Sequence, residues 1–275
     1  MKNSNPNESI FKKGSTTYYY SSLFFPKDIK KDVFVLYAFV RTVDDYVDHT
    51  PAEKEKFIKF YTETKKALLC GTSSNMIINN FIELSKKRLF KPEWILAFFK
   101  SMENDLYIKT YDSFKEVEEY MFGSAEVIGL MMAKIMQLPK EAEEAAKDLG
   151  KAMQFINFIR DISEDQQLKR TYIPHEDLQM FKVTSLPPTS DEQIECFIKL
   201  IRFEIARYKT LQKKAEAGFY FIPKKYLLSI KTASDMYNWT ANEIDKNPMI
   251  IFKKKLKPKK IQVVAKVVTN LFSFR

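Results

Sequence analysis

The chain has 275 residues, 45% apolar and 29% charged, which is enough for a substantial buried core and unlike a disordered segment. Basic residues number 45 against 35 acidic, a formal charge of +10, but nine of the basic ones lie between Lys246 and Arg275, where no acidic residue occurs. The remaining 36 basic residues nearly balance the 35 acidic ones, which excludes a generally basic surface for coating nucleic acid.

In chain order, residues 1–14 carry Asn3, Asn5, Asn7 and Glu8 and lack the apolar stretch of a secretory signal. They are expected to be a flexible lead-in to a single helical domain over 15–275. Val33, Leu36, Tyr37, Val40 and Val43 recur at three- and four-residue spacing and predict an amphipathic helix. That helix runs into Arg41-Thr-Val-Asp44-Asp45-Tyr-Val-Asp48. Asp44 and Asp48, four apart, project from one helix face, where two like charges repel and Asp is a poor helix former. A hard divalent cation would compensate, since Mg²⁺ takes oxygen ligands from one or two carboxylates plus substrate phosphates.

Leu149, Met153, Ile156 and Ile159 predict a second helix, leading into Asn157-Phe-Ile-Arg160-Asp161-Ile-Ser-Glu164-Asp165. Asp161 and Asp165 repeat the four-residue spacing, and Asn157 extends the polar stripe by one turn. Thr184 to Ser190 (TSLPPTS) reads as a connection, and Ile194, Phe197, Ile198, Ile201, Ile205 and Tyr208 mark a third apolar face. Most prolines fall between or at the starts of such stretches, and no run of alternating strands is evident. The expectation is an all-α protein of roughly eight to ten helices. Cys70 and Cys196 are isolated and only His49 and His175 are present, so neither a disulfide scaffold nor a zinc site is expected, and a reducing cytoplasm is the default. No apolar run approaches the ~20 residues that span a bilayer.

One acidic cluster alone would read as a solvated helix surface. Two, both embedded among apolar residues and each with an arginine (Arg41 and Arg160), instead describe a cavity for Mg²⁺ and a diphosphate.

Several strings are similar to the squalene/phytoene synthase family of head-to-head prenyl synthases. They are Ser15-Thr-Thr-Tyr-Tyr-Tyr with Phe24-Phe25-Pro26, Tyr37-Ala-Phe-Val-Arg41 with Asp44-Asp45-Tyr-Val-Asp48, and Met102-Glu-Asn-Asp105-Leu106. Tyr120-Met-Phe-Gly123-Ser-Ala-Glu-Val-Ile-Gly129 follows, then Gln154 to Asp165 and Arg170-Thr-Tyr172-Ile-Pro174. The resemblance runs in order from about Ser15 to Lys260 and implies an all-α isoprenoid synthase fold, with the two Asp motifs on opposing helices at the mouth of a central cavity. It implies Asp44, Asp48, Asp161 and Asp165, with Asn157, as ligands of Mg²⁺ or alternatively Mn²⁺. Arg41 and Arg160 are implied as diphosphate contacts, Ser15 and Thr17 as further polar contacts, and Tyr37, Tyr237 and Lys255 as groups approaching a diphosphate. Tyr18, Tyr37, Tyr120 and Tyr237 match positions lining or bordering the cavity, where aromatic faces stabilise a carbocation without attacking it. Asp45 and Glu164 are acidic neighbours, Asp105 matches a family position without an assigned role, and neither histidine is given a catalytic one.

The resemblance also implies the reaction. An allylic diphosphate ionises, its cation is captured by a second molecule to give a cyclopropylcarbinyl diphosphate, and rearrangement ends in proton loss or, for squalene, hydride transfer from NADPH. The opening segment and the Arg-Thr-Tyr-Ile-Pro loop look most like phytoene synthases acting on two geranylgeranyl diphosphates in carotenoid biosynthesis, for which NADPH is not expected. Squalene or dehydrosqualene synthesis from farnesyl diphosphate is the alternative. There are departures: Thr17 stands where Ser is usual, Lys253 to Lys255 where Arg is commoner, and Gln166-Gln-Leu-Lys169 replaces an Arg-rich loop. A head-to-tail prenyltransferase would carry DDxxD-type motifs, and a non-catalytic helical relative would have lost aspartates that are all present here. The long C-terminal anchor of eukaryotic squalene synthases is missing from this sequence, which suggests a microbial enzyme. A cytoplasmic enzyme is expected. The C-terminal lysines ahead of Ile261-Gln-Val-Val-Ala-Lys-Val-Val-Thr-Asn-Leu-Phe fit either a last core helix with a solvated basic approach or a peripheral attachment to the inner face of a membrane.

Overall fold

Capping residues and left-handed stops divide the chain into helices. The computed structural model describes residues 6–273. Fourteen α-helices follow one another among them: α1 Pro6–Gly14, α2 Thr16–Ser22, α3 Lys27–Asp48, α4 Lys54–Cys70, α5 Met76–Arg88, α6 Pro92–Tyr107 and α7 Phe114–Met121. Then come α8 Val127–Ile135, α9 Glu143–Arg160, α10 Ile162–Gln167, α11 His175–Met180, α12 Asp191–Glu216, α13 Lys224–Lys246 and α14 Lys260–Ser273. Ser15, Asn75, Ser113 and Ser190 accept backbone N–H bonds at the starts of α2, α5, α7 and α12. Gly71, at φ 84°, ends α4 in the left-handed region, and Pro92 opens α6.

The all-α expectation holds: beyond an isolated bridge between Thr110 and Thr171, no strand forms among the described residues. The count exceeds eight to ten because apolar periodicity runs through short interruptions. A π-helical turn, Phe122–Glu126, separates α7 from α8, and Asp161 (φ −98°, ψ 11°) separates α9 from α10. The lead-in needs correction too. Residues 6–14 are helical, and Phe11, 1% exposed, packs edge-on to Tyr19 and Phe34 and face-on to Tyr37. Burying that ring ties the segment to the core. Residues 1–5 of that stretch, and residues 274–275 at the other end, lie outside the described ones.

Helix α9 packs on α8, α12 and α13, and α3 packs on α1, α4, α5 and α6. Phe155, Ile156 and Ile159 of α9 meet a core that also holds Phe197, Leu200 and Ile201 of α12. Gly129 permits a close seam between α8 and α9, since a Cβ there would collide with the Ala146 carbonyl oxygen. No helix among the described residues is long and apolar enough to cross a membrane.

Candidate active site

The later turns of α3 carry Tyr37, Arg41, Asp44 and Asp48 at i, i+4, i+7 and i+11, one stripe of the helix. All four line a cavity of about 560 Å³, within the range of small-molecule sites. The Asp44 carboxyl is pushed up to about 8, first by burial and then by Asp48, with Arg41 opposing. Arg41 lies 2.6 Å from the Asp45 carboxylate. Asp48 accepts from Arg170 Nη1 at 2.8 Å, while Nη2 of that guanidinium donates to the Val47 carbonyl at 2.6 Å.

The second stripe comes from α9 and α10. Although α9 stops at Arg160, the Asp161 N–H donates to Asn157 O and the Asp165 N–H to Asp161 O, both at 2.8 Å, so the three residues stay in helical register. Arg160 grips the Asp161 carboxylate with two bonds, Nε donating to Oδ1 at 2.8 Å and Nη2 to Oδ2. Lys255 Nζ lies 2.9 Å from Glu164 and 3.9 Å from Asp161. The Asp165 carboxyl is pushed up to about 8 by burial, then by Asp161 and by Asp48 of the other stripe. The two acidic stripes thus act on each other electrostatically across the cavity.

Aromatic and apolar side chains complete the walls. Tyr18 and Tyr237 rings sit 5.6 Å apart, and the Tyr18 hydroxyl donates to Met153 Sδ at 3.4 Å. Tyr120 and Tyr172 donate to opposite oxygens of Asp105, at 2.8 and 2.6 Å. Burial raises the Asp105 carboxyl to about 6 against the lowering pull of Arg170 and the two phenols. Burial also raises the phenols of Tyr18, Tyr120, Tyr172 and Tyr237, keeping them neutral and poorly nucleophilic. Val33, Leu36, Val40, Ile128, Met132 and Leu149 supply apolar lining.

All fourteen residues named as site candidates from the sequence line this one cavity: Ser15, Thr17, Tyr18, Tyr37, Arg41, Asp44, Asp48, Tyr120, Asn157, Arg160, Asp161, Asp165, Tyr237 and Lys255. Ser15 is also an N-cap, its Oγ accepting from the Tyr18 N–H at 3.2 Å. The sequence left Arg170, Tyr172 and Asp105 without roles, although each belongs to a quoted string. Their signal is tertiary, because Arg170 meets Asp48 across 122 positions of chain.

Among the described residues, no three His, Cys, Asp or Glu side chains are arranged to hold a metal ion. Asp48 and Asp161 are instead committed to arginines. The donor set nevertheless fits a hard cation. Asp44 and Asp165 are held up by burial and like charge, and the buried Oδ1 of Asn157 has no hydrogen-bond partner. Substrate phosphate oxygens would supply the remaining ligands, as is usual for Mg²⁺.

Residues 11–262 match the family model for squalene/phytoene synthase. The phytoene synthase of Pseudescherichia vulneris is 25% identical over 236 residues, covering 82% of this chain and 76% of that protein. The 4,4'-diapophytoene synthase of Staphylococcus haemolyticus is 25% identical over 203 residues, covering 70% of each. A crystal structure of a dehydrosqualene synthase in complex with ligand superposes with a TM-score of 0.80 at 22% identity, over 97% of this chain and 95% of that one. The chain belongs to the squalene/phytoene synthase family, whose members are prenyltransferases that join two prenyl diphosphates head to head.

Proposed function

We propose that the protein is a phytoene synthase, condensing two geranylgeranyl diphosphates through a cyclopropylcarbinyl diphosphate to phytoene. The observation that carries this reading is the convergence of both Asp stripes, Arg41, Arg160 and Lys255 on one cavity whose remaining wall is largely apolar and aromatic. The cations take the oxygens of a departing diphosphate. Asp44, Asp48, Asp161, Asp165 and Asn157 would hold Mg²⁺, or Mn²⁺, which when bound offsets leaving-group charge. The apolar wall excludes water from the allylic cation. The faces of Tyr18, Tyr37, Tyr120 and Tyr237 stabilise it by about 0.5–2 kcal/mol each. A final proton loss gives phytoene without a reductant, so NADPH is not required.

The C40 product is supported by curated relatives named as phytoene synthases. A C30 product from farnesyl diphosphate is the second reading, favoured by equal identity to a 4,4'-diapophytoene synthase. The test is to incubate purified protein with Mg²⁺ and geranylgeranyl diphosphate and to analyse the hydrocarbon. Diphosphate release with a C40 product in the absence of NADPH is expected. Parallel incubations with farnesyl diphosphate, with and without NADPH, distinguish dehydrosqualene and squalene. Absence of hydrocarbon from every prenyl diphosphate would overturn the assignment.

A further inference from the structure

Helix α14 has two apolar faces, and among the described residues only one is buried by the fold. Val263 and Val267 are buried, and Asn270 donates to Thr232 Oγ1 at 3.3 Å and to Asp235 at 2.8 Å, fastening the inner face to α13. On another side, Ile261, Val264, Val268 and Leu271, at i, i+3, i+7 and i+10, form a second stripe. They are 74, 39, 47 and 49% exposed. A surface helix normally turns polar residues outward, and a contiguous exposed apolar stripe marks an interaction site.

The approach to α14 sets the chemistry of the partner. Lys253, Lys254, Lys259 and Lys260 are exposed, and no acidic residue occurs after Lys246. Lys253, Lys254 and Lys259 make no ion pair among the described residues. In a symmetric contact with a second copy, the same basic patch would face itself and repel. A negatively charged, apolar-cored surface complements both features. We propose that the outer face of α14 and the lysine segment before it form a membrane-docking surface. The helix lies in the interfacial plane of an anionic bilayer, and the lysines meet lipid phosphates. Lys255, Lys257 and Pro258 of the same segment line the cavity, so docking sets part of the cavity wall at the lipid surface.

The test is co-sedimentation of the full chain with vesicles of phosphatidylcholine alone or with about 30% phosphatidylglycerol, at low and high salt. Selective, salt-sensitive binding to the anionic vesicles is expected, weakening about fivefold for each lysine removed in Lys253→Gln and Lys259→Gln. The paired change Val264→Asp and Leu271→Asp should reduce binding at least tenfold while leaving the far-ultraviolet circular dichroism and detergent-supported turnover unchanged. Equal sedimentation with both vesicle types, or binding unaffected by these changes, would overturn the proposal. A dimer in size-exclusion chromatography that the paired change converts to monomer would assign the face to a second copy instead, and would overturn it equally.

Discussion

Asp48 and Asp161 rest in ion pairs at a solvent-accessible cavity, so amides at these positions remove charge without leaving a hole. Asp48→Asn and Asp161→Asn should each lower turnover by about 100-fold or more, as expected for loss of a leaving-group stabiliser. Circular dichroism should keep its helical form, and near-normal activity in both variants would place the metal elsewhere. Arg170 is a different case, being 4% exposed and joining Asp48 to the Val47 carbonyl beside Asp105. Arg170→Met should destabilise by about 3 kcal/mol, whereas Arg170→Lys, which keeps the charge but loses the fork, should recover part of that in a denaturant titration. Away from the cavity, one guanidinium, Arg207, lies 2.7 Å from both Asp177 and Glu204. Burial and Asp177 push the Glu204 carboxyl up to about 8 despite Arg207. A carboxyl raised on folding binds its proton more tightly in the native state, so its stabilising contribution is full below about 4.5 and is lost as pH rises through about 8. The melting temperature should therefore fall between pH 5 and pH 9 through this group. Glu204→Gln should flatten the profile, and an unchanged slope would refute the assignment. The stripes of the site were readable because they are periodic in sequence. Arg170 and Glu204 were not, because their partners lie on other elements or become unusual only through burial.

Periodicity also sets what was legible among the elements. The apolar faces of α3, α9 and α12 stand where the spacing predicts them, since each must bury a continuous stripe. The breaks were hidden because the π turn at 122–126 and the Asp161 interruption scarcely disturb that spacing. Gly129 and Gly150 illustrate the same gap, because what each glycine packs against is set by another element. A Cβ on Gly129 would meet the Ala146 carbonyl, and one on Gly150 the Ala125 carbonyl, so α9 is pressed backbone to backbone against α8 and the π turn. In an exposed helix, Gly→Ala would gain about 1 kcal/mol. Here separation of packed backbones dominates, at about 1–3 kcal/mol of overpacking. Gly129→Ala and Gly150→Ala should each lower the melting temperature by several degrees, and a rise would mean that the seam can yield.

At the scale of the whole molecule, the cavity follows α9 away from the acidic mouth, with Asn157, Met153, Leu149, Ala146 and Ala145 all on its wall. At 1.5 Å per residue, Ala145 lies about 24 Å and Leu149 about 18 Å from Asp161 along the helix axis. At roughly 1.2 Å per backbone bond, the rise of an extended chain, a geranylgeranyl group is about 18 Å long and a farnesyl group about 13 Å. With a diphosphate occupying the first few ångström at the mouth, an extended C20 chain would end near Ala145 and Ala146, and a C15 chain near Leu149. Small side chains stand where the longer chain needs room, an arrangement that favours the C40 reading. Ala146→Phe should therefore raise KM for geranylgeranyl diphosphate at least tenfold while leaving farnesyl diphosphate within about threefold, since several added methylene equivalents of bulk confront only the longer tip. Competition between the two substrates in one reaction measures this directly. An equal loss for both would show that the tail takes another course, and that the far end of α9 does not set product length.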